Sequence, residues 1–275
     1  VPGADALEFR DVHGVDSVRA YLLSAGPGRQ SQIYGTRDGG TTWRRQFLNL
    51  DSQAFYDCFA FWDGESGIAM SDGVNGVFPL LRTVDGGRRW TALRTAPPAG
   101  KGEGAFAASG TCVATFGDSL AWIATGAGAA ARVLRTRDRG ATWQAVTTPI
   151  AQGTPTSGHA SIAFRTAADG IAVGGDIVDT LKVRPDNVIR TSDGGASWSS
   201  GGTLSFPGVA YGVAFVPGAD STAVAVGPRG ACWTQDGGRS WMPLDTLSHW
   251  SVAFASRDAG WMVGPGGRIT KLRLP

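Results

Sequence analysis

Thr36-Arg37-Asp38-Gly39-Gly40-Thr41-Thr42-Trp43 is the first of five copies of one pattern, T-x-D-G-G-x-x-W. The others span 83–90, 136–143, 191–198 and 234–241. One copy departs from the pattern, with Arg139 where the first Gly is expected. Successive motif aspartates lie 47, 53, 55 and 43 positions apart. A repeat of that length marks one supersecondary unit, and the strand signals around it make that unit a blade.

Each motif residue has a local job. The Asp carboxylate is expected to accept backbone N–H groups two residues on and hold a tight turn. The glycines supply positive φ without steric cost. The Trp opens the next strand, burying a large apolar face and carrying one N–H that needs a partner. The pairs Asp38/Trp43, Asp85/Trp90, Asp138/Trp143, Asp193/Trp198 and Asp236/Trp241 are therefore read as structural, not as ligands or acids.

Outward from each motif lie further strand signals. Ser251-Val252-Ala253-Phe254 recurs as Ser161-Ile162-Ala163-Phe164 and Gly212-Val213-Ala214-Phe215. Looser copies begin at Cys58, Cys112 and Asp11. Large and small residues alternate, as a strand's period of two requires, and the small side suits a crowded innermost strand. Apolar runs ending in Gly follow at 171–174, 223–227 and 261–264. These and the two arms of the motif hairpin give four antiparallel strands per unit.

The expectation is an all-β chain forming a single β-propeller over 1–275, of six four-stranded antiparallel blades. The blades fall near 7–50, 51–100, 101–155, 156–204, 205–247 and 248–275 plus 1–6. Seven blades is the alternative, but a seventh needs about another 45 residues. The last unit stops before an outer strand. The stretch 4–9 is expected to supply it and close the ring, leaving no sheet edge open.

The T-x-D-G-G-x-T-W form, with V-A-F before it, resembles the Asp box of BNR-repeat proteins, in the photosystem II stability/assembly factor-like branch. The resemblance runs over nearly the whole chain. It implies a propeller, and it is not specific for activity, since Asp boxes occur in sialidases, xyloglucanases, sorting receptors and non-enzymatic assembly factors.

Net charge is +2, which argues against a general nucleic-acid or membrane-surface binder. No apolar run approaches the roughly 20 residues of a membrane helix, so no direct membrane insertion is expected. The 22 Arg against three Lys, and 20 Asp against three Glu, reflect in part the turn aspartates. Cys58 and Cys112 occupy matching positions in units two and three. A disulfide between them is conceivable, and paired buried thiols are the favoured reading. A periplasmic or secreted location is favoured over a cytoplasmic one.

In a propeller the motif turns share one face, and insertions on the other face point to function. Long links at 71–79, 95–109, 147–158 and 175–186 crowd that face over blades two to four. The blade-four link carries Asp176, Lys182 and Arg184. Residues beginning each inner strand there are expected to ring the channel mouth: Arg10, Tyr56, Asp57, His159, Tyr211, His249 and Trp250. Such a mouth suits a polar ligand or a peptide end. Equally, the histidines could serve neighbouring backbone groups and Trp250 could plug the channel.

Nothing promises catalysis. No Glu begins an inner strand beside Tyr56 or Tyr211, as a sialidase-like nucleophile–base pair would need. Asp57 and Glu103 form a carboxylate pair only if the fold joins them. Three scattered histidines and no ligand-spaced motif leave no metal or cofactor expected. The expected function is a non-enzymatic protein-binding or assembly scaffold with an exported or membrane-associated protein partner. The alternative is a glycan-acting hydrolase with its site at the channel mouth.

Overall fold

The computed structural model describes residues 1–274, and they form an all-β propeller of six antiparallel sheets. Strands follow sequence order from the axis outward. The first blade runs Phe9–Gly14, Ala20–Ser24, Gln32–Thr36 and Arg44–Leu48. The innermost strands of the next five are Tyr56–Phe61, Val113–Phe116, Ser157–Phe164, Gly212–Phe215 and Ser251–Ser256. Each strand turns straight back on its predecessor, so pairing is local within a blade.

The motif hairpins join third and fourth strands in the first five blades. Their locks reach further than an Asx turn. Asp38 Oδ1 accepts the Thr36 hydroxyl at 2.8 Å and the Thr42 N–H at 2.8 Å, while Oδ2 accepts the Thr42 hydroxyl at 2.6 Å. Gly40 N–H in turn donates to Thr36 Oγ1 at 2.9 Å. The carboxylate thus grips the residue four positions on, not two, and the motif Thr is part of the lock. Asp193 repeats the net with Thr191 and Ser197. At Asp85 the gripped position is Arg89, which offers only its backbone N–H, at 3.0 Å.

The motif tryptophans differ from the expectation in one respect. Trp143 Nε1 donates to Gly140 O at 3.1 Å. The indole nitrogens of Trp90, Trp198 and Trp241 are buried without an acceptor, so apolar packing alone holds these rings. Arg139 sits at φ 56°, a region L side chains rarely adopt. Its guanidinium compensates by reaching back to blade two, donating to Ser66 Oγ at 2.8 Å and Asp63 Oδ2 at 3.1 Å.

Two expectations need correction. Cys58 and Cys112 form a disulfide across the innermost strands of blades two and three, with Cα atoms 5.9 Å apart. Equal positions in neighbouring blades bring the two side chains together at the crowded axis, close enough to bridge. The last blade has three strands among the described residues, Ser251–Ser256, Ala259–Gly264 and Arg268–Leu272, and residues 1–8 lie in no strand. The N-terminal segment is held at blade one instead: Ala25 N–H donates to Glu8 O at 3.0 Å, and Phe9 packs edge-on to Tyr34 at 5.7 Å.

The core explains the consequence. Five clusters of buried apolar side chains join blades one to two, two to three, three to four, four to five and five to six. Among the described residues no such cluster joins blade six to blade one. Val12 in blade one and Ile269 in blade six are 68% and 71% exposed. The ring therefore has five packed seams and one wet one.

Candidate functional site

On the face away from the motif turns, a cleft of about 660 Å³ opens over the propeller axis. Its walls come from the starts of inner strands: Arg10, Asp57, Tyr211 and Trp250. Its floor is the segment 105–109, which links blades two and three. This floor is a plug of small residues. Ala105, Ala107 and Ser109 are buried, and Gly110 approaches blade one so closely that a Cβ would stand 2.6 Å from Asp11 Cγ. The Gly110 φ of +71° excludes most other residues there as well.

Hydroxyls tie the plug to the surrounding strands. Ser109 Oγ, Thr111 Oγ1 and Ser161 Oγ form a chain with 2.6 Å steps, ending on Val213 N–H at 3.0 Å. Ser251 Oγ donates to Ser109 O at 3.2 Å. Blades three to six thus meet on one segment. Its run of Gly and Ala was the only sequence signal for this role.

The expected ring of mouth residues splits by strand parity, because successive side chains point to opposite faces. Arg10, Asp57, Tyr211 and Trp250 reach the cleft. Tyr56, His159 and His249 turn away from it. Tyr56 packs edge-on to Phe47 at 5.3 Å, and burial pushes its phenol up to about 12. His159 is fully buried between Thr125 O, 2.7 Å from Nδ1, and Thr148 Oγ1, 3.0 Å from Nε2. Burial lowers its pKa to about 4, so the ring is neutral. His249 Nε2 bonds the Asp245 carboxylate at 2.9 Å. His159 serves a backbone carbonyl, as one reading of the sequence has it, whereas His249 bonds a side-chain carboxylate and its Nδ1 is buried without a partner among the described residues.

Tyr211 and Trp250 hold equivalent positions in adjacent blades, so their rings lie side by side, 5.3 Å apart and 11° from parallel. Trp250 is 45% exposed and does not plug the channel. Phe9, Phe55 and Phe106 complete an aromatic lining.

Beside Phe55 and Phe106 lies a carboxyl pair that the sequence did not announce. Asp57 neighbours Asp72, which follows the second strand of the same blade. Asp57 is buried, and that burial, with the adjacent Asp72 charge, raises its pKa well above the usual range, against a smaller pull from Arg10. Burial raises Asp72 too, although the Ala105 N–H donates to its Oδ1 at 2.9 Å. Burial thus favours the protonated form of both groups. Glu103, the partner weighed for Asp57, is elsewhere: it takes the Arg132 Nε–H at 2.8 Å and the Thr125 hydroxyl at 2.6 Å. Burial opposes its charge, but those bonds outweigh it and lower its pKa.

The blade-four link edges the cleft through Ile177. Its charges are spent on each other, with Arg184 Nη2 2.7 Å and Lys182 Nζ 3.7 Å from Asp179 Oδ2. Asp176 accepts the Val178 N–H at 3.1 Å. Beside the exposed Lys182, the link shows apolar side chains to solvent: Val178, Leu181 and Val183 are all exposed.

No family model and no curated protein matches the chain. Solved structures do resemble it. One, of YCF48 bound to D1 peptide, aligns over 96% of this chain and 77% of that one, with 18% identity and a TM-score of 0.65. An ancestral GH74 enzyme aligns over 93% of this chain at 14% identity and TM-score 0.61, though the chain spans only 34% of that enzyme. A protein of unknown function from Dyadobacter fermentans DSM 18053 aligns over 95% of this chain and 92% of its own, at 13% identity and TM-score 0.59. At such identities the likeness is one of fold. No helix among the described residues is long and apolar enough to cross a membrane.

Proposed function

We propose that this propeller is a non-enzymatic scaffold that binds an extended protein segment in the cleft over its axis. The observation that carries this reading is the exposed Tyr211–Trp250 stack facing an open cleft, bordered by the apolar crest of the blade-four link. Rigid aromatic side chains give large contact area at little entropic cost, which is why such residues anchor peptide and protein interfaces. The similar fold of YCF48, seen with a D1 peptide, supports a peptide ligand for this shape. Resemblance of the repeats to the assembly factor-like branch points the same way.

The carboxyl geometry argues against glycoside hydrolysis. Acid and nucleophile or base in such enzymes stand about 5–9.5 Å apart to flank the scissile bond. Asp57 and Asp72 instead lie within hydrogen-bonding reach of each other, too close to flank a scissile bond. The Cys58–Cys112 disulfide supports an oxidising compartment, hence an exported protein and an exported or membrane-associated partner. Thiol titration of protein from its native cell should find one free cysteine, Cys232, and that only after unfolding.

Selection of random peptides displayed against the intact chain tests the function. Enriched peptides should bind the parent and lose about tenfold or more in affinity on Trp250→Ala. Failure to enrich any peptide, or equal binding by the variant, would remove the cleft from consideration.

A further inference from the structure

The cleft holds a carboxyl pair with no ion-pair partner among the described residues. Arg10 Nη2 donates to Glu8 Oε2 at 2.9 Å, so blade one contributes a pair that is already neutral. Asp11, one residue on, accepts the Phe59 N–H at 2.8 Å. Glu103 beneath the plug is satisfied by Arg132 and Thr125. Lys182 and Arg184 on the blade-four link belong to Asp179. Tyr211 is the remaining titratable group of the lining. What is left without an ion-pair partner of its own among the described residues is the Asp57–Asp72 pair, on which Arg10 acts only weakly.

Two further observations say what would answer it. Asp57 is 1% exposed and lines the cleft, and its Oδ2 receives no hydrogen bond from any donor group of the described residues. Across the axis, blades five and six present the stacked rings of Tyr211 and Trp250, and Phe55 and Phe106 line the cleft beside the pair itself. A carboxyl pair across from aromatic faces is the environment that attracts an organic cation, whose charge meets the carboxylates and the negative ring faces together.

We propose that the cleft takes a basic side chain of the bound peptide, its ammonium or guanidinium seated on the Asp57–Asp72 pair and its aliphatic stem against the Tyr211–Trp250 stack. This rests on the peptide-binding reading and specifies its ligand. It also makes binding proton-linked. Without ligand, two adjacent carboxyl groups in a dry site cannot both ionise, so one proton stays between them. An arriving cation replaces that proton, which leaves to solvent. No bond other than this O–H is broken. Affinity must rise with pH, because at low pH the proton competes for the same oxygens.

The test is calorimetry of the intact chain with three blocked hexapeptides of alanine, each carrying two lysines, two norleucines or two glutamates. Titrations at about pH 5.5 and about pH 8, in two buffers of different ionisation enthalpy, count the protons released. The lysine peptide should bind about tenfold more tightly at the higher pH and release up to about one proton. Asp72→Asn and Asp57→Asn, which keep shape and remove charge, should each cost about tenfold or more and abolish the pH dependence. Equal or tighter binding of the norleucine or glutamate peptide, no proton release, unchanged binding by both variants, or no binding of the lysine peptide overturns the proposal. If norleucine or glutamate peptides bind and lose affinity on Trp250→Ala, the peptide scaffold stands and its cationic preference falls. If random selection also enriches nothing, both fall.

Discussion

The same residue type behaves in opposite ways on the two faces of this propeller. On the motif face, slight desolvation works against the charges of exposed Asp193 and half-buried Asp236, yet hydroxyl and backbone N–H donors from the turn outweigh it and hold both at about 2. In the cleft, Asp57 has no comparable cage, and burial beside Asp72 drives it the other way. The motif carboxylates are satisfied within a few residues of chain and need nothing else. The cleft carboxyls are brought together by the fold and left wanting a partner. Self-satisfied charge builds structure, and unsatisfied charge is available for binding.

The largest expected effect probes whether the scaffold holds the cleft pair in place. Asp57 adjoins Cys58, whose disulfide closes a separation of 54 residues. Replacing Cys58 and Cys112 by Ser should lower unfolding free energy by about 4 kcal/mol on the chain-entropy account. Denaturant titration reads this, and peptide affinity should weaken alongside it. Full retention of stability would mean that packing alone fixes the inner strands.

Asp193→Ala tests the other side of the contrast. It removes three charge-assisted hydrogen bonds, from Thr191 Oγ1 and from Ser197 N and Oγ. A loss of about 2 kcal/mol is expected, with cleft binding untouched. The stability that these carboxylates supply is present above their unfolded pKa. It is lost as pH falls from about 4 towards about 2, because their folded values are depressed. Loss of peptide binding at unchanged stability would show the motif to be a ligand site after all.

Asp57→Asn should move stability in the opposite direction. A raised folded pKa means that Asp57 favours the folded state only while protonated, and that contribution fades as pH rises through the folded value. The variant should gain about 1–2 kcal/mol near pH 8 and nothing near pH 4. Thermal melts at both pH values check it; a loss at high pH would contradict the account of the pair. Smallest is Arg139→Gly. Relief of the 56° φ and loss of the contacts to Asp63 and Ser66 oppose each other, so the net change should stay within about 1 kcal/mol.

The motif turns were legible because their whole logic is local. Thr36, Asp38, Gly40 and Thr42 bond one another within seven residues, so spacing alone announces them, and five copies announce blades. What the sequence could not show was which of two adjacent residues at each inner-strand start would face the axis. Tyr56 and Asp57, or His249 and Trp250, look alike as candidates until register assigns their sides. The Asp57–Asp72 contact joins strand ends in one blade, the Tyr211–Trp250 stack joins two blades, and the plug at 105–109 touches several.

Sequence by itself determined the all-β class and the six blades, since turns and strand periodicity are written in neighbouring residues. Tertiary structure alone decided the three-stranded last blade with its wet seam, the disulfide and the adjacent Asp57–Asp72 carboxyl pair. Those depend on how far apart residues from different strands and blades come to rest. Distance of that kind is set by packing around the axis, not by any residue's neighbours in the chain.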